Sequence, residues 1–155
     1  MRISGTWALP VVVAVVLAAA IQAGAHSGAT GIVKQRMEMM KAIGTNLKVL
    51  GSMVKGAASF DAQAARSAAL AIAEHSADIS SMFPDGPVVP PSEASEKIWT
   101  EWDRFTGLAN DLAASAGQFA DKAGGASSVD ELKPEFGRIA ATCKSCHESF
   151  RIKRN

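Results

Sequence analysis

Residues 98–119 read IWTEWDRFTGLANDLAASAGQF, and Ile98, Trp102, Phe105, Ala109, Leu112, Ala116 and Phe119 step along it by 4, 3, 4, 3, 4 and 3. That spacing puts the seven side chains on one stripe of a 3.6-residue helix, the seam of a helix that packs in a bundle. Gly124-Gly125 marks its end. A strand would alternate every second residue. No segment of this chain does so.

The same period recurs on both sides. Upstream, a first helix is expected from Thr30 to Lys55, with Val33, Met37, Met40, Leu47, Leu50 and Val54 on one stripe, Gly44 at its gap and Gly56 as the stop. A second, rich in alanine, runs from about Ser59 to Met82 and buries Ala65, Ala69, Ile72, Ile79 and Phe83. Pro84, Pro87, Pro90 and Pro91 then exclude regular helix as far as Ser95. Downstream, Leu132, Phe136, Ile139, Cys143, Cys146 and Phe150 step by 4, 3, 4, 3 and 4 in a fourth helix from about Val129 to Lys153. Ser128-Val129-Asp130-Glu131 fits a capping box at its start. Pro134 conflicts with a helix that is regular from Ser128 onward; either the helix kinks there or its regular part starts later. Four helical segments and no strand make an all-α fold, an antiparallel up-down-up-down four-helix bundle in which the first and last helices are neighbours.

The first 25 residues stand apart from this domain. Arg2, an apolar run from Trp7 to Ile21 and Ala23-Gly24-Ala25 have the layout of a secretory signal peptide. Cleavage after Ala25 leaves residues 26–155 as one bundle domain without a membrane span; an uncleaved anchor is the competing reading, because the run approaches spanning length. Removing Arg2 leaves 15 basic and 15 acidic side chains. A neutral chain without a basic stripe offers nucleic acid no electrostatic purchase. No acid–base pair or nucleophile constellation marks a substrate site, so an enzyme is not expected.

An exported chain meets oxidising conditions, where cysteines commonly crosslink. The two cysteines here are only three residues apart, and a loop that short stabilises little. Cys143-Lys144-Ser145-Cys146-His147 instead matches the Cys-x-x-Cys-His attachment signature of c-type haem. On a helix, residues 143, 146 and 147 share a face. Both thiols can then reach the vinyl edge of one macrocycle while the imidazole of His147 turns under it to the iron. A thioredoxin-like pair would follow a strand, and none precedes this motif. A zinc site needs about four ligands, and only His26 and His75 could be added.

These features together resemble the class II, cytochrome c′-type family. The likeness lies in an exported four-helix bundle, Cys-Lys-Ser-Cys-His near the C-terminus with an aromatic and Arg151 after it, Arg36 with an apolar residue four positions later, and Ile98-Trp99-x-x-Trp102-x-x-Phe105. The resemblance implies one covalent haem c, held through Cys143 and Cys146, with His147 as an axial ligand.

In that family the opposite axial position falls four residues after the first-helix arginine, which here is Met40. Low-spin members carry Met there, and high-spin members a non-ligating residue such as Leu. The implied reading is a low-spin, Met40- and His147-ligated carrier of single electrons in the periplasm. The alternative is a high-spin protein that binds NO or CO at an open face. A methionine at helical spacing is often mere core packing, and Met37 shares the Met40 face one turn earlier, whereas Met39 points about 100° away.

Arg36, on the same face, is a candidate partner for a haem propionate. Gly44 would let a macrocycle approach the backbone. Trp99 and Trp102 are expected to wall the haem or the adjoining core, and His75 to be a solvated helix residue. Lys144, Arg151, Lys153 and Arg154 against Glu148 form a basic C-terminal patch suited to steering an acidic redox partner. Pairing into a homodimer is a further implication of the resemblance.

Overall fold

In the computed structural model, which describes residues 28–152, the chain winds through five α-helices. They are α1 (Gly31–Val54), α2 (Ala62–Ala77), the single-turn α3 (Lys97–Thr100), α4 (Trp102–Ala123) and α5 (Lys133–Phe150). Short 3₁₀ turns at Ser80–Met82 and Val129–Leu132 follow α2 and precede α5. The signal segment 1–25, His26 and the cations Lys153 and Arg154 lie outside the described residues.

Local chemistry sets these limits. Gly56, at φ 72°, takes the left-handed conformation that a side chain would resist, and turns the chain out of α1. Asp61 caps α2 by accepting the Ala64 amide at 2.9 Å. The Glu131 carboxylate accepts the Ser127 and Ser128 amides at 3.0 and 3.1 Å, closing the expected capping box. Pro134 resolves as a late start. The segment after Ser128 is first a 3₁₀ turn, and the regular helix begins at Lys133, with the proline in its first turn where no amide is needed.

α1, α2, α4 and α5 form the bundle. At one end stand Arg36 near the start of α1, Phe83 after α2, Phe105 near the start of α4 and Phe150 at the end of α5. The Arg36 guanidinium lies 4.5 Å from the Phe83 ring, Phe83 is 4.9 Å from Phe105, and Phe105 is 5.4 Å from Phe150. Successive helices therefore alternate in direction, as an up-down-up-down bundle requires. Between α2 and α4 the packing is densest, because Ala65, Ala68 and Ala69 face Ala109, Ala116 and Ala120 and let the backbones approach. Leu50, Ile72, Phe119 and Ile139 complete a core in which each is essentially out of water. Burial of each stabilises by roughly 1.5–3 kcal/mol.

Two expectations change. Glu101 breaks the third helix: its φ and ψ of −122° and 42° separate α3 from α4. Trp102, expected on the seam, is 38% exposed and only leans on Phe105 at 5.6 Å. Ile98 before the break and Phe105 after it are buried, while Trp102, the first residue of α4, stays exposed. On α1, Met39, Ile43, Gly51 and Met53 are buried, while Met37, Met40, Leu47 and Val54 are half-buried. Val33 and Leu50, also on the expected stripe, are buried, so that stripe straddles the edge of the face that meets the core.

Candidate haem site

Both cysteines sit on α5 as it runs toward Phe150, and both are free thiols. Their side chains are half-buried against the core. Burial pushes the Cys143 thiol above its ordinary value; it does the same to Cys146, which the neighbouring Cys143 raises further. His147 reaches the surface, yet its ring is partly shielded from water. That shielding, and then the positive charge of Arg151, lower its affinity for a proton. A neutral imidazole is the form that binds a metal.

α1 carries Arg36, Met37, Met40 and Leu47 half-buried at its margin with the core. α1 and α5 touch only sparsely, and where they meet the contact is between Gly51 and Phe136. A Cβ built on Gly51 would stand 3.4 Å from the Phe136 ring. Met40 precedes Gly51 by eleven residues and His147 follows Phe136 by eleven. On antiparallel helices rising about 1.5 Å per residue, the two therefore share a level, each about 16 Å from the contact.

The residues fit a covalently held haem. Met40, Leu47, Cys143 and Cys146 pack against the core on one side and remain part-exposed on the other, an apolar flank that a flat macrocycle would cover. A cradle of two thiols, an imidazole and a thioether is the donor chemistry of c-type haem. Among the described residues no cluster of three or more His, Cys, Asp or Glu side chains offers a metal ion a competing site. Met39 lies in the core, away from this flank.

The remaining candidates divide. Arg36 stacks on Phe83 and has no carboxylate partner among the described residues. Partial burial lowers its proton affinity. A Cβ on Gly44 would meet nothing within 4 Å, so the ground beside it is open. Trp99 is half-buried and donates its indole N–H to the Pro84 carbonyl at 3.2 Å. His75 lies in the last turn of α2, not on either helix of the site.

Of the expected basic patch, the two described cations are paired. Lys144 pairs with Glu148 at 3.8 Å and Arg151 with Glu93 at 2.6 Å. Reading the sequence missed Glu93, the contact of Phe83 with Arg36, and Arg104, whose guanidinium donates to Ser149 at 2.9 Å in the last turn of α5. Each meets its partner across tens of residues, where no local period reports it.

The family profile described as Cytochrome C′ matches residues 31–151. Cytochrome c′ of Rhodopseudomonas palustris is 33% identical over 131 residues, covering 81% of this chain and 85% of that protein. Cytochrome c-556 of Agrobacterium tumefaciens is 31% identical over 129 residues, covering 80% of this chain and 99% of that protein. Among solved structures, cytochrome c′ from Rhodopseudomonas palustris superposes with a TM-score of 0.74 at 31% identity, over 82% of this chain and all of that one.

Proposed function

Because the chain belongs to the cytochrome c′ family and so carries one covalent haem c, we propose that it is a periplasmic one-electron carrier with His147 and Met40 as axial ligands. In this reading Cys143 and Cys146 anchor the macrocycle as thioethers and His147 binds the iron from α5. Bound there, the haem supplies a centre that takes up and releases a single electron. Met40 would hold the iron with its thioether, which would keep water out and raise the potential relative to histidine alone. Arg36, stacked on Phe83 and without a carboxylate partner among the described residues, keeps N–H groups available to a haem propionate.

The observation that carries the reading is the common level of Met40 and His147 on two antiparallel helices that touch only sparsely. Met37 sits about 4.5 Å further along the axis. Periplasmic residence rests on the signal-like segment 1–25. No helix among the described residues is long and apolar enough to cross a membrane.

Optical and EPR spectra of the purified holoprotein test the ligands. The wild type is expected to be low-spin when ferric, Met40→Ala largely high-spin, and Met37→Ala unchanged. A high-spin wild type would remove the Met40 ligand and favour binding of NO or CO at an open face instead. A Met40→Ala protein that stays fully low-spin would equally remove it.

A further inference from the structure

Arg151 is the first residue beyond α5, four after His147, and its amide donates to the His147 carbonyl at 3.2 Å. Its side chain turns to Glu93 in the proline-rich connection, with Nε 2.8 Å and a terminal nitrogen 2.6 Å from the same carboxylate oxygen. The backbones are tied as well. Ser95 donates to the Phe150 carbonyl at 2.9 Å, Ile152 donates to that of Glu93 at 2.8 Å, and Ala94 and Arg151 form an isolated antiparallel bridge. Fifty-eight residues separate the two charges. The contact is thus a built clasp, and it holds a cation beside the turn that bears His147.

We propose that Glu93 is a positioning residue for the histidine side of the haem: it anchors and neutralises Arg151, and so holds the reduction potential down. The inference rests on His147 as an axial ligand and is independent of Met40. Taking up one electron from a donor lowers the charge at the cofactor by one, so an uncompensated cation nearby favours the reduced form. With its counter-charge fixed on it by a hydrogen bond and a close ion-pair contact, Arg151 exerts much less of this pull. The pair is partly in water, with side-chain exposures of 56% for Arg151 and 37% for Glu93, which limits the size of the effect.

Equilibrium redox titration of the holoprotein against a mediator of fixed potential tests the clasp. Glu93→Gln is expected to shift the electron-exchange constant toward the reduced protein by a factor of about two to five, the scale of a part-screened pair. Arg151→Gln shifts it the other way, the double variant returns to near wild type, and Glu93→Asp, which keeps the charge, stays close to wild type. A purely structural clasp would lower the melting temperature of both single variants without opposite redox shifts. A Glu93→Gln potential no higher than wild type, or both single variants moving in one direction, overturns the proposal. Unchanged Soret and α bands in Glu93→Gln separate this effect from a loss of axial ligation.

Discussion

The Phe136 ring of α5 lies against the Gly51 backbone of α1, and this contact closes one end of an otherwise open flank. A methyl group at residue 51 would meet the ring at 3.4 Å, an ordinary contact, and alanine is a better helix former than glycine by up to about 1 kcal/mol. Gly51→Ala is therefore expected to melt at or slightly above the wild-type temperature. Gly51→Leu has no room and is expected to cost roughly 1–3 kcal/mol. By parting the helices it should also reduce the low-spin fraction of the haem. Thermal melts and ferric spectra of both variants check this; a Gly51→Leu protein that behaves as wild type in both would show that the contact is not a spacer.

Replacing Cys143 and Cys146 together by alanine removes both anchors while leaving the α5 seam apolar. Haem should then leave the polypeptide under acid and organic extraction, whereas the wild type keeps it on the chain. Each single replacement retains one thioether and should keep haem bound under the same conditions. Covalent haem persisting in the double variant would place the attachment elsewhere.

Glu135 stands at the far end of the bundle, where Lys122 of α4 and Arg138 reach one of its oxygens at 3.1 and 3.0 Å. Burial pushes its carboxyl up, but the hydrogen bond from Lys122 and the positive charges of Lys122 and Arg138 outweigh this and hold it below the ordinary carboxylate range. A depressed folded value means that the charged form stabilises the protein above the unfolded value, near pH 4.3, and that this is lost as pH falls through the folded value. The Lys122 and Arg138 side chains are about half exposed, so the contribution is on the order of 1 kcal/mol. Glu135→Gln is expected to melt lower than wild type at pH 7 and to converge with it as the pH falls below the ordinary carboxylate range. Parallel melting curves across that range would count against the ion pairs.

Asp61 supplies a control remote from the haem. Its carboxylate caps α2 at the end of the bundle opposite Phe83. Asp61→Ala should cost about 1 kcal/mol in denaturant unfolding and leave the spectrum and potential unchanged.

Much of this molecule is written in local periods. The seam from Ile98 to Phe119, the alanine face of α2 and the Cys143-to-His147 motif are visible because a helix repeats every 3.6 residues and a haem needs its donors on one face. The break at Glu101 was not visible, since nothing in a polar residue between two seam positions announces a change of backbone angle. Nor was the offset of the α1 stripe. Met37, Met40 and Leu47 are as apolar as Met39 and Ile43, and only the placement of neighbouring helices separates a core face from a cofactor face. The pairs Arg36 with Phe83, Arg104 with Ser149 and Glu93 with Arg151 depend on tertiary packing alone.

The alanine seam between α2 and α4 has a mechanical consequence. Those two helices form a spine, and α1 and α5 hang from it like covers hinged on opposite edges, pinned together at Gly51 and Phe136 and otherwise scarcely in touch. Because α1 and α5 meet so sparsely, a bulky planar group lying between them would bury the flank that Met40, Leu47, Cys143 and Cys146 leave part-exposed, and would complete the missing edge of the bundle.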